Sequence, residues 1–223
     1  EQKISDTVGG LTAVLDAGDE FGFAVAGVGD LDGDGIGDLA VGARLGDDGG
    51  LDRGEVFVLF LNANGTVRAE QKISDTTGGL AVTLDNGANF GHGLAGPGDL
   101  DGDGVEDLVV GAPLGDGGGT DRGEVHVLFL NTNGTVRVEQ EISATAGGLG
   151  GLLRDGDRFG SSVAGLGDLD GDGVADLAVG AAGDDDHGID KGAVHLVTLT
   201  SSGTVAERWT LSEVDGNFAG SLD

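Results

Sequence analysis

Asp30, Asp32, Asp34 and Asp38 place carboxylates at positions one, three, five and nine of a nine-residue loop. The set recurs as Asp99, Asp101, Asp103 and Asp107, and again as Asp168, Asp170, Asp172 and Asp176. Alternate residues let a chain curl around one ion, and Gly33 and Gly35 permit the tight turns this needs. The backbone carbonyls of Ile36, Val105 and Val174 fall at position seven, so each loop offers four carboxylates and one carbonyl. Four carboxylates crowded together without a cation would repel one another. The competing reading makes the aspartates simple turn formers, which leaves the threefold repetition of the whole set without a cause.

The donors are all hard oxygens, and no His or Cys lies in any loop, which argues against zinc. Mg²⁺ prefers small octahedral sites that keep several waters, whereas Ca²⁺ suits a flexible loop offering 6–8 oxygens. About three Ca²⁺ are therefore expected, one per loop. An EF-hand would place a bidentate Glu at position twelve, but Val41, Val110 and Val179 stand there. The expected role is structural: a loop joining two strands stabilises the folded form when filled.

The composition supports this chemistry. Of 223 residues 48 are Gly, Cys, Met and Tyr are absent, and the formal net charge is −29. Asp outnumbers Glu by 30 to 10, which favours turns and cation ligation over a solvated helical surface. Such a polyanion is not expected to bind nucleic acid or an anionic membrane. No apolar run reaches the length of a membrane span, so no membrane insertion is expected. The chain begins at Glu1 with no signal peptide visible, and is read as a processed or excised product.

The elements that must hold these loops repeat with them. GDLDGDG begins at Gly29, Gly98 and Gly167, a period of 69, and Phe21-Gly22, Phe90-Gly91 and Phe159-Gly160 keep that period. Residues 1–69 and 70–138 are identical at 49 of 69 positions, 139–207 form a third copy, and 208–223 a shortened fourth. Within the first copy, strands are expected over 21–29, 38–43, 55–61 and 66–74, with Asn64-Gly65 as a two-residue hairpin turn. The linker leucines Leu11 and Leu15, recurring as Leu80 and Leu84 and as Leu149 and Leu153, are expected between neighbouring units. The fold class is all-β: propeller-type blades of four antiparallel strands, as an open fragment of, or assembling into, a larger propeller or array.

The order Phe-Gly, then D-x-D-x-D-G-x-x-D, then Gly111-Ala112-Pro113 resembles the FG-GAP repeat of integrin α-subunit propellers and of many bacterial surface proteins. The resemblance covers essentially the whole chain. It implies a β-propeller, commonly seven-bladed, with calcium held in hairpin loops between two strands of a blade. The chain departs from the pattern at Ala43-Arg44 and Ala181-Ala182, where the middle copy has Ala-Pro, and at Ala219 in place of Gly.

Other signals are weaker. The acidic loops at 46–55, 115–124 and 183–193 are read as solvated hairpin loops because their acidic spacing varies. Arg53-Gly54-Glu55 only superficially resembles a cell-attachment tripeptide, and Asn64 and Asn133 fit a turn better than a glycosylation acceptor. His126 and His195 take the strand position of Phe57 and suggest packing or a half-exposed face. No Ser-His-Asp arrangement stands out, and no catalytic residue is assigned.

The expected function is a non-enzymatic, calcium-binding extracellular or cell-surface scaffold for adhesion, surface attachment or self-assembly, including filaments. Its partners would be calcium and other proteins or copies of itself. The alternatives are a carbohydrate-binding propeller module, thinly supported by the scarcity of aromatics, and a non-catalytic propeller attached to a secreted enzyme.

Overall fold

A computed structural model describes residues 2–5, 7–185 and 189–212. The part of the shortened fourth copy beyond 212 lies outside the described residues. Three separate four-stranded antiparallel sheets follow one another along the chain. The first contains β1 (Val25–Gly27), β2 (Leu39–Ala43), β3 (Glu55–Leu61) and β4 (Val67–Ile73). The second contains β5 (Gly93–Gly98), β6 (Asp107–Ala112), β7 (Glu124–Leu130) and β8 (Val136–Ile142). The third contains β9 (Phe159–Gly167), β10 (Asp176–Ala181), β11 (Ala193–Leu199) and β12 (Val205–Leu211). Each is an up-and-down meander in sequence order, the form of a propeller blade. The 69-residue frame counted from Glu1 cuts inside β4, β8 and β12, so the fourth strand of each sheet carries the first residues of the next period.

The unbroken apolar runs have a direct cause. Side chains alternate across a strand, and both faces of the third strand are buried. Val56, Val58 and Phe60 enter a core shared by the first two sheets, together with Leu108, Leu128 and Leu130. Phe57 and Leu59 point the other way, against Leu11 and Val41. In the second sheet Val125, Val127 and Phe129 face a core completed by Leu177, Val179 and Val197 of the third. The second and third linkers behave as expected, whereas Leu11 and Leu15 of the first pack with the first sheet alone. Leu84 lies in the first shared core and Leu149 and Leu153 in the second.

Phe-Gly fixes the spacing between sheets. Phe90 N–H donates to the Arg53 carbonyl and Phe159 N–H to the Arg122 carbonyl, each at 2.9 Å. The backbone of Gly91 passes so close to Gly42, and that of Gly160 so close to Gly111, that a Cβ on Gly42 or Gly111 would overlap a carbonyl oxygen. Gly is required there by approach, not by dihedral angle.

The hairpin between β3 and β4 differs from the expected two-residue turn. Gly65 N–H donates to the Asn62 carbonyl and Asn62 N–H to the Thr66 carbonyl, both at 2.8 Å, leaving three residues in the loop. Only Gly65 takes a positive φ, 77°, and the register shifts between Phe60 and Leu61. A type I turn closed by a left-handed Gly and a bulge needs one such residue, whereas the two-residue turn needs two.

Candidate metal centres

Each Asp loop joins the first two strands of its sheet. The position-nine aspartates Asp38, Asp107 and Asp176 open or adjoin β2, β6 and β10, and are 2, 1 and 0% exposed. Their carboxylates tie the loop to the sheet. Asp107 accepts N–H bonds from Leu100 (2.9 Å) and from Leu130 at the end of β7 (3.2 Å). Asp38 does the same with Leu31 and Leu61, and Asp176 with Leu169 and Leu199. Burial raises the Asp38 carboxyl and pushes that of Asp107 up to about 7, against the pull of those N–H donors. Burial of this kind penalises a lone carboxylate, and an adjacent cation would reverse the penalty.

The structure gathers three of the four predicted carboxylates in every loop. Asp30, Asp32 and Asp38 each offer an oxygen within 4.8 Å of the others, as do Asp99, Asp101 and Asp107, and Asp168, Asp170 and Asp176. Position one also builds the turn: Asp99 accepts the N–H groups of Gly102, Asp103 and Gly104 at 2.7, 3.1 and 2.8 Å. The position-five residues Asp34, Asp103 and Asp172 stand outside these groups and accept the N–H of Ile36, Val105 and Val174 at 2.9, 2.8 and 2.8 Å. The oxygen-only donor set fits a hard cation. In the first loop Asp32 Oδ1 is buried with no hydrogen-bond partner among the described residues, which leaves it available as a ligand.

Sequence reasoning missed two arginines. The Arg68 guanidinium on β4 meets Asp32 and, at 3.0 Å, Asp34. Arg137 on β8 meets Asp101 at 2.5 Å and Asp103 at 2.8 Å. The spacing that could have shown them is constant, since Arg68 follows Asp32 by the same interval as Arg137 follows Asp101. In the third copy Ala206 takes the place of the arginine.

A second buried polar cluster also escaped the sequence. His126 is 1% exposed, with Nδ1 2.7 Å from Glu139 and Nε2 3.3 Å from Glu124, and its ring lies edge-on to Phe90. Of the two expectations, packing is correct and the half-exposed face is not. Burial opposes a charged imidazole here, but the hydrogen bonds and charges of Glu124 and Glu139 outweigh it and hold His126 at about 9. Glu139 also accepts the N–H groups of Ala81 and Val82, so it fastens the linker to the sheet. In the first copy Phe57 replaces His126, and Lys72 supplies the cation for Glu55 at 3.1 Å.

The weaker motifs are absorbed by the fold. Arg53 bonds Asn86 and Asp75, Gly54 bridges to Phe90, and Glu55 is buried, so this tripeptide is internal. Asp47 accepts the Asp52 N–H within its own loop. Among the described residues no helix is long and apolar enough to cross a membrane.

Comparison with known proteins agrees with this architecture. The family model described as the FG-GAP repeat matches residues 21–59, 90–128 and 159–197. Integrin alpha-PS5 of Drosophila melanogaster is 35% identical over 176 residues, covering 74% of this chain and 15% of the relative. Integrin alpha-11 of Homo sapiens is 35% identical over 172 residues, covering 74% of this chain and 13% of the relative. Integrin alpha-IIb of Homo sapiens is 37% identical over 168 residues, covering 73% and 15% respectively. The chain thus spans about 15% of the length of such relatives.

Proposed function

Since the chain belongs to the FG-GAP repeat family, with more than half of it matched, we propose that it is a calcium-stabilised, non-enzymatic propeller scaffold working outside the cell in adhesion or surface attachment. One observation carries the reading. Carboxylates from positions one, three and nine converge in all three loops, with the ninth buried and bonded to the far end of the third strand. Asp30, Asp32, Asp34 and Asp38, the Ile36 carbonyl, and their counterparts in the other two copies would hold the ion. Calcium there would screen the carboxylates and lock loop to sheet, a stabilisation that the unfolded chain cannot share. The extracellular setting follows from supply, since open modules of this kind work at roughly 10⁻⁴–10⁻³ M affinity. Chelation by EGTA from protein shown to be calcium-loaded should lower the melting temperature by several degrees. An unchanged melt would remove the structural role.

A separate observation bears on assembly. Val56 and Val125 are fully buried under the next sheet, and Ile73 and Ile142 likewise, yet their counterparts Val194 and Leu211 are 38 and 36% exposed. Beside them lies a cavity of about 420 Å³ lined by Gly180, Ala181, Gly192 and Ala193. These residues correspond to the surface that receives Phe90-Gly91 and Phe159-Gly160 within the chain. At the other end Phe21 packs within its own sheet, 5.4 Å from Phe57, and the Gly22 N–H donates to the Gly42 carbonyl at 3.0 Å. A further FG-GAP sheet of the same protein would cover the exposed face of the third sheet, and a second copy placed on it would extend the array head to tail.

A further inference from the structure

We propose that Arg68 and Arg137 are built-in competitors for the cation, so that the third loop, Asp168–Asp176, takes calcium before and more tightly than the other two. This rests on the reading of the loops as calcium sites and adds an order among them. In the first loop one guanidinium holds Asp32 and Asp34 together, and in the second one holds Asp101 and Asp103. These are the carboxylates at positions three and five that a bound cation needs. Both arginines sit at the same register on the fourth strand of their sheet and reach across the end of the third strand to the loop. In the third sheet that position is Ala206, and no cation contacts Asp170 or Asp172 among the described ion pairs.

Two effects act in the same direction. A guanidinium between two carboxylates relieves their repulsion in the empty loop, so the arginine stabilises the state from which calcium must bind. Calcium must then displace the guanidinium or accept a like charge a few ångströms away. The third loop has neither relief nor competitor. Position eight works in the opposite sense in one copy. Glu106 stands there in the second loop, where Gly37 and Ala175 occupy the others, and its side chain lies against Gly29 of the first. Its negative charge strengthens both arginine-bearing sites somewhat, so it narrows the gradation without creating one. The arginine side chains are 41 and 36% exposed, which limits each effect by solvent screening. A separation of about tenfold in dissociation constant is the expected scale, equivalent to about 1.4 kcal/mol.

The test is calorimetric titration of the calcium-stripped full chain with calcium chloride at fixed ionic strength. The expected isotherm has one tight site and two weaker ones. Asp170→Asn should abolish the tight class and leave the weaker pair. Arg68→Ala with Arg137→Ala should bring all three sites together by tightening two of them, and Ala206→Arg should weaken the third. Both arginines lie on exposed strand positions, and a matching urea midpoint in excess EGTA establishes that each variant is folded. Three indistinguishable sites in the wild type, or arginine variants that bind calcium more weakly, would overturn the competition while leaving the calcium reading intact. Absence of calcium binding in every variant would overturn both.

Discussion

Replacing His126 by Phe recreates the residue that the first copy carries at the same place, and it should nonetheless destabilise the protein. The imidazole lies between Glu139, at 2.7 Å, and Glu124, at 3.3 Å, with all three side chains nearly inaccessible. Its pKa is held at about 9 against 6.5 when unfolded, so its contribution is complete below 6.5 and is lost as pH rises through about 9. A shift of that size corresponds to about 3 kcal/mol at 1.36 kcal/mol per unit. Glu139, held below its usual range, supplies a matching dependence on the acid side, lost as pH falls. Glu141, paired across the strands with His126, is a further charge on the same ladder. Urea unfolding at saturating calcium, from roughly pH 6 to roughly pH 10, should show wild-type stability falling by about 3 kcal/mol over the alkaline part. His126→Phe should start about 3–5 kcal/mol lower, because two buried carboxylates lose their cation, and should lack that alkaline decline. Adding Glu141→Lys places a lysine where the first copy has Lys72 and should restore much of the loss. Parallel pH curves for wild type and His126→Phe would refute the assignment of the charge to this imidazole.

Two shorter predictions concern the joins between sheets. Gly111→Ala drives a methyl group into the Gly160 carbonyl and should cost about 1–3 kcal/mol by denaturant unfolding; a neutral result would mean that the sheets are not packed this closely. Val194→Glu, on the exposed end of the third sheet, should leave the melting temperature within a degree or two and abolish concentration-dependent association in sedimentation velocity. Association that survives the substitution would move the contact elsewhere.

Much of this was legible because the repeat samples each position three times. The Asp loops, the Phe-Gly pairs and the linker leucines occur in every copy, and shared spacing separates a structural requirement from local accident. What escaped notice was compensation between positions that vary together. His126 looked like a conservative replacement for Phe57, since both fill the same slot beside a Phe ring. Its charge has meaning only against Glu124 and Glu139, and the change from Lys72 to Glu141 that removes the earlier cation lies on another strand. Arg68 and Arg137 were hidden for a related reason. They fall in the outer strand, where alternating polar residues are ordinary, and only the sheet's width brings them over the loop. The hairpin turn was misjudged because Asn-Gly satisfies two turn types, and the bulge at Phe60 and Leu61 selects between them.

The position-nine aspartate links the metal loops to the joins between sheets. Asp107 holds the N–H of Leu130, and Leu130 lies in the core shared by the first and second sheets. Asp176 holds Leu199, which lies in the core shared by the second and third. An ion binding Asp107 therefore restrains the end of a strand whose opposite faces serve two different cores. Two of the three cores are shared between neighbouring sheets, so loosening one of these strand ends exposes apolar surface on the neighbouring sheet as well. Calcium release should consequently lower the cooperativity of unfolding across the whole chain, not merely free a surface loop. Hydrogen exchange can see this directly. On chelation, protection should fall at Leu130 and Leu199 and also at Val56 and Val125, which face the same cores. Exchange that quickens only within the Asp loops would show that the loops and the joins are energetically separate.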